Sequence, residues 1–129
     1  MKLCPCDSRE IFELCCGPLL ANAKKAGSSQ ELMRSRYTAF FLKKMDYIEQ
    51  TTDPETRSEI DWEANRKWAA HSRFTKLEVL KSFEEGNSGT VEFRAHFSFN
   101  NEPHIHHELS TFRKYQGTWY FRSGEMKPS

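Results

Sequence analysis

Four cysteines, Cys4, Cys6, Cys15 and Cys16, fall within thirteen residues in the pattern C-x-C-x8-C-C, and no further cysteine follows in the 129-residue chain. Thiolates suit a tetrahedral zinc ion, with sulfur about 2.3 Å from the metal. Pro5 prefigures a tight turn that lets Cys4 and Cys6 converge on one ion. The intervening residues loop out and return with Cys15 and Cys16. Asp7 and Ser8 are turn formers and helix caps. A short helix from about Arg9 to Leu14, ended by Gly17 and Pro18, would aim the second pair at the first. Two other readings stand beside zinc. A pair of disulfides needs an oxidising compartment, of which the chain shows no sign. A thiol redox site would favour C-x-x-C spacing, which is absent. Four thiolates leave no position for water, so the ion would be structural. It would supply folding free energy to a segment too short to close a core.

Arg36 is the second residue of interest. Leu32, Met33, Ala39 and Phe40, one helical turn away, are all apolar. Its head group therefore enters the core, where an unpaired charge is costly. A carboxylate partner is expected, Glu92 or Glu108. The structural reading is an ion pair and the functional one a clamp for a substrate anion. Arg34, three residues after Glu31, is expected to form a surface pair.

The run His104-Ile105-His106-His107-Glu108 offers further chemistry. On a strand His104 and His106 share a face, but no third metal ligand is evident. His107 shares its face with Ile105 and Leu109, which are expected to point inward. A buried histidine facing a pocket can act as a general base, since its pKa lies near neutrality. The alternative is a hydrogen-bonded structural histidine. The catalytic candidates are thus His107, Arg36 and Glu108.

Nineteen basic and eighteen acidic side chains leave a net charge of +1, which gives no electrostatic footprint for nucleic acid. Trp119, Tyr120 and Phe121 could stack on bases, but Arg113, Lys114 and Arg122 are few basic neighbours. Core packing, or a homodimer through the sheet, accounts for these aromatics better. No apolar run approaches the length of a membrane span, and no apolar stretch of signal-peptide type precedes Cys4. The expectation is a soluble protein that stays where it is made, in the cytoplasm.

The elements that must position these groups read as α+β. Residues 22–29 are small and polar and mark a junction between an N-terminal zinc module, residues 1–27, and a domain spanning 28–129. Ser28 and Glu31 fit a capping box, followed by Met33, Tyr37, Phe40 and Phe41 on one helical face. Asp46 opens a second short helix. Asp53-Pro54 opens a third, running to Trp68 with Ile60, Ala64 and Trp68 in series. After Ser72 the period changes to two. Val91, Phe93, Ala95, Phe97 and Phe99 form a half-buried strand, and turns near residues 84–89, 100–103 and 116–117 complete an antiparallel meander. About three helices on a curved sheet enclose a cone.

The stretch CPCDSREIFELCCG resembles the SEC-C motif known from the C-terminal tail of the preprotein translocase SecA, usually CPCGSGKxYxxCC or ending in Cys-His. Cys4, Cys6, Cys15 and Cys16 occupy its zinc-ligand positions and Phe12 its aromatic position. Asp7, Arg9 and Glu10 replace the usual Gly, Gly and Lys. Further along, ELMRSRYTAFFLKKMDYIEQTTDP, GTVEFRAHF, HHELSTFRK and GTWYFRSG resemble segments of the YchJ-like proteins. That resemblance implies a SEC-C zinc motif joined to a nuclear transport factor 2-like (NTF2-like) cone. Some relatives carry a second zinc motif at the C-terminus, which Met126-Lys127-Pro128-Ser129 does not repeat.

Two functions follow as expectations. One is protein interaction, with the zinc module as a rigid docking knob for a protein partner. The other is a small-molecule enzyme of isomerase or dehydratase type using His107 in the cone, an inference from fold analogy. A dry, filled interior favours the first, and an open pocket with a histidine and a carboxylate converging on it favours the second.

Overall fold

Ser28 opens the long helix as expected. In the computed structural model, which describes residues 2–128, its Oγ accepts from the Glu31 N–H at 3.0 Å. Glu31 in turn accepts from the Gly27 N–H at 2.7 Å, one residue earlier than a strict capping box requires. The helical elements are α1 (Gly17–Leu20), α2 (Ser29–Leu42), α3 (Met45–Gln50) and α4 (Trp62–Ala70). The strands are β1 (Ser72–Glu85), β2 (Ser88–Phe99), β3 (Glu102–Tyr115) and β4 (Thr118–Met126). Helices α2 and α4 pack on a four-stranded antiparallel sheet of order β1-β2-β3-β4, with α3 against α2, the α+β cone that the periodicity implies. No helix among the described residues is long and apolar enough to cross a membrane.

The strands are joined by short turns. Asn100 and Asn101, between β2 and β3, have φ of 53° and 67°, and Gln116 and Gly117, between β3 and β4, have φ of 50° and 82°. Positive φ at both central residues gives a turn whose twist matches that of the flanking strands. Register shifts at Phe74/Lys76, Val79/Lys81 and Thr111/Phe112 mark bulges, which bend strands and increase twist.

Three local expectations change. The segment from Asp53 is not the start of the third helix. Asp53 is fully buried, and its carboxylate accepts from the Glu55 N–H at 2.9 Å, from Arg113 at 2.7 Å and from Arg122 at 3.1 Å. It thereby ties the loop after α3 to β3 and β4, and the parallel bridge between Thr52 and Phe121 runs beside it. The true cap of α4 is Asp61, whose side chain accepts from the Ala64 N–H at 3.0 Å. The inward stripe of α4 is accordingly Trp62, Asn65 and Trp68, while Ala64 is exposed. Asp46 lies in the first turn of α3 but does not cap it; it pairs with Arg66 at 2.9 Å.

Candidate functional site

The N-terminal segment is built around its sulfurs. Leu3 and Ile11 form an antiparallel bridge, and the Cys4 N–H donates to Glu10 O at 2.8 Å, so residues 3–11 make a small loop that closes on itself. The helix expected from Arg9 to Leu14 is only a 3-10 turn, Phe12–Leu14. Arg9, like Asp7, has a left-handed backbone, with φ of 71° and 61°. These are two of the positions where the resembling motif has glycine, which explains that preference: only glycine enters this region without steric cost. Asp7 offsets its strain by a tether, its Oδ2 accepting from the Leu77 N–H of the outer strand β1 at 2.7 Å. Gly17 and Pro18 do not end a helix but begin α1. A Cβ on Gly17 would stand 2.8 Å from Phe12 O, so only glycine permits this close approach.

The four Sγ atoms all lie within 4.8 Å of one another. Cys6 and Cys15 are 3.6 Å apart and Cys15 and Cys16 3.9 Å, and all four cysteines are free. Thiolates about 2.3 Å from a tetrahedral ion stand about 3.8 Å from one another, so the donor set fits one metal ion. Cys6 is held far below the usual thiol range by hydrogen bonds from Cys16 and Cys4. Burial raises Cys15 to about 11, and hydrogen bonding to Cys4 and Cys6 pushes Cys16 far up. Sulfurs this close crowd negative charge together, which a cation between them would relieve.

The cluster is anchored to the domain by α2. Thr38 Oγ1 donates to Cys16 Sγ at 3.3 Å and stands 3.7 Å from Cys4 Sγ. Arg34 Nη1 donates to Cys6 O at 2.7 Å and its Nε to Gln30 at 3.2 Å, so it is not the surface partner of Glu31. Ser8 Oγ lies 3.2 Å from Cys15 Sγ. Cys4, Cys6 and Cys16 are buried in the same apolar cluster as Leu32, Met33 and Tyr37 of α2.

A second site lies inside the cone. A cavity of about 260 Å³ is bounded by α2, α4 and the concave face of the sheet. Most of its wall is apolar, from Met33, Phe40, Ile48, Trp62, Trp68 and Phe74, and its polar groups include Arg36, His106, Glu108 and Ser110. His106 Nε2 is 2.7 Å from Glu108 Oε1, and Ser110 Oγ donates to Glu108 Oε2. Burial by itself would raise the Glu108 carboxyl, but the His106 and Ser110 donors outweigh it and hold the group below its ordinary range. Gly124 on β4 leaves room for that carboxylate, since a Cβ there would stand 2.5 Å from Glu108 Oε2.

The expected face of β3 is therefore reversed. Phe93 pairs with Glu108, Ala95 with His106 and Val91 with Ser110, so those polar residues share the inner face with the apolar residues of β2. Ile105 is exposed, and His107 lies outside the cavity. His107 is buried nonetheless, with Nε2 2.7 Å from Glu92 and Nδ1 2.9 Å from Pro128 O, the hydrogen-bonded structural histidine. His104 stacks on Phe97 with ring centroids 5.4 Å apart, and among the described residues only the cysteines form a cluster able to hold a metal. Trp119 is buried and Phe121 lines the cavity, so both serve the core.

Arg36 enters the core as expected but pairs with no carboxylate. Its Nη1 donates to Ile48 O at 3.0 Å, Thr51 Oγ1 at 2.7 Å and Thr52 Oγ1 at 3.3 Å. The guanidinium lies over the Phe121 ring, 4.5 Å from its centroid. Burial pushes its pKa down to about 10, which still leaves it charged at neutral pH.

A four-cysteine N-terminal module packed against helices on a curved antiparallel sheet defines a SEC-C motif protein with an NTF2-like domain. Residues 28–124 match the family described as "YchJ, middle NTF2-like domain", and the chain belongs to this YchJ-like family. A UPF0225 protein of Geobacter sulfurreducens is 41% identical over 126 residues, covering 95% of this chain and 78% of that protein. The solution structure of a SEC-C motif containing protein from Rhodopseudomonas palustris is 48% identical with a TM-score of 0.91, covering 98% of this chain and 100% of that one. The crystal structure of a SEC-C motif containing protein from Psychrobacter arcticus is 30% identical with a TM-score of 0.83, covering 100% of this chain and 85% of that one.

Proposed function

We propose that this protein binds a small molecule in its cone, and that a structural zinc ion held by Cys4, Cys6, Cys15 and Cys16 braces the helix lining the pocket. The observation that carries the reading is the convergence of Arg36, His106, Glu108 and Ser110 on one largely apolar cavity. A concave apolar site with a few convergent polar groups is the usual form of a ligand pocket. Zinc is favoured over other metals by the all-thiolate donor set and the tetrahedral spacing. The same burial counts against a module that serves mainly as a docking knob, because its sulfurs face the domain core. An enzyme acting through His107 is not supported, since that side chain is spent on Glu92 and Pro128 O.

Both halves of the reading are testable on the intact chain. Metal analysis of protein purified without added metal should find one zinc per chain, and a Cys15→Ser, Cys16→Ser variant should lose it. Benzyl alcohol, titrated into isotopically labelled protein, should shift resonances of Ala95, Phe93 and Trp68. Ala95→Phe, which fills the cavity, should abolish those shifts. Unchanged spectra across the titration would dismiss the pocket.

A further inference from the structure

We infer that the cone pocket selects small monocarboxylates with an apolar body, and that Arg36 grips the carboxylate. The inference rests on the pocket reading above and adds the chemical class of its occupant. A guanidinium carries five N–H donors in a planar fork, and its Nε–H and one Nη2–H lie parallel, matched to the two oxygens of a carboxylate. In Arg36 only Nη1 is engaged, by neutral acceptors. Nε and Nη2 make no hydrogen bond within the described residues. Nor are they among the sealed, partnerless polar atoms, which are Tyr37 Oη, Arg113 Nε and Trp119 Nε1. The carboxylate-binding edge of the fork is thus unpaired and not fully sealed, on a residue that lines the cavity.

The charge balance points the same way. The nearby carboxylate, Glu108, is already held by His106 and Ser110 and forms no ion pair with Arg36. Arg36 therefore stands buried on neutral acceptors without a direct counter-ion, and an anionic ligand would supply one. A phosphate dianion would bring one more negative charge than a carboxylate beside Glu108, so a monocarboxylate is favoured over a phosphate ester. Most of the rest of the wall is apolar and aromatic, suited to a ring or short hydrocarbon chain. At about 260 Å³ the space is near the ~300 Å³ lower end of drug-sized pockets, which suits a small ligand better than a dinucleotide.

The test compares three probes that share one ring: benzoate, benzyl alcohol and phenyl phosphate, each titrated into labelled full-length protein loaded with zinc. Benzoate should bind at least tenfold more tightly than either of the others and should shift the Arg36 Nε–H resonance, which benzyl alcohol leaves in place. Arg36→Lys keeps the charge and removes the fork. It should cost benzoate about tenfold while leaving benzyl alcohol unchanged. If that variant does not fold, the probe ranking and the Arg36 resonance in the unsubstituted protein decide the matter. Equal binding of benzoate and benzyl alcohol overturns carboxylate selection but leaves the pocket standing, and phenyl phosphate binding as tightly as benzoate overturns the monocarboxylate class. Should none of the three enter, the pocket reading falls and this inference with it.

Discussion

Thr38 Oγ1 donates to Cys16 Sγ at 3.3 Å, from the middle of the helix that also carries Arg36 into the cone. One helix thus holds a hydroxyl against the thiol cluster and a guanidinium against the cavity. Order in the cysteine module is thereby linked mechanically to the wall of the pocket.

The Thr38 hydroxyl should matter for metal retention more than for shape. Thr38→Val keeps the volume and removes the donor, and loss of a hydrogen bond to a ligand atom typically costs about 10–100-fold in metal affinity. Competition with a chromophoric chelator should show about a tenfold loss for Thr38→Val and near-recovery for Thr38→Ser. Equal retention in all three proteins would show that the contact does not support the metal.

Asp7 separates backbone strain from tethering. Its φ of 61° favours glycine, while its carboxylate accepts from the Leu77 N–H. Asp7→Gly relieves the backbone and loses the bond, so the two effects should offset to within about 1 kcal/mol. Asp7→Ala loses the bond and keeps the strain, and should cost about 2 kcal/mol. Denaturant unfolding of the zinc-loaded variants measures both, and an alanine variant as stable as the glycine variant would contradict the account.

The Asp53 cluster makes the fold acid-sensitive. Burial alone would raise this carboxyl, but the Glu55 N–H, followed by Arg113 and Arg122, outweighs burial and holds it below its ordinary value. A depressed folded pKa contributes stability that is present above the unfolded value, about 3.9, and is lost as pH falls through the folded one. Thermal unfolding from pH 7 to pH 2 should show a decline below about pH 4 that Asp53→Asn flattens. At neutral pH that variant should be destabilised by roughly 2–3 kcal/mol, since both arginines are partly solvated. An acid limb unaltered by the substitution would assign the sensitivity elsewhere.

Gly124 is predicted to be intolerant for a reason on the neighbouring strand. A methyl group there would push into the Glu108 carboxylate and displace it from His106 and Ser110. Gly124→Ala should cost about 1–3 kcal/mol and move the His106 ring resonances. Gly86→Ala, with nothing within 4 Å of its Cβ position, should leave those resonances unmoved. A Gly124→Ala protein with native His106 shifts would refute the packing argument.

Much of this architecture can be read from the chain because the signals are local. The sulfur spacing, the Ser28 cap, the change of period after Ser72 and the paired turn residues each act over a few positions. The inner face of β3 is not legible in its own pattern, where Ile105 and Leu109 suggest an apolar inward side. The two-residue turn at Asn100-Asn101 sets that face through the register. It pairs Phe99 with Glu102, and therefore Phe93 with Glu108 and Ala95 with His106. A one-residue slip in register exchanges the faces of a strand, so the apolar run of β2 together with that turn dictates a polar inner wall.

By itself the sequence determined the thiol cluster, the order of helices and strands and the entry of Arg36 into the core, since these follow from spacing and periodicity. Only tertiary structure decided which histidine meets which carboxylate, and that Arg36 keeps the open edge of its fork. Those outcomes depend on which distant segments share the interior: Glu92 outside with His107, Glu108 inside with His106, and the hydroxyls of Thr51 and Thr52 at the guanidinium. Periodicity along one element reports that a residue is turned inward, whereas its partner is chosen by the packing of elements far apart in the chain.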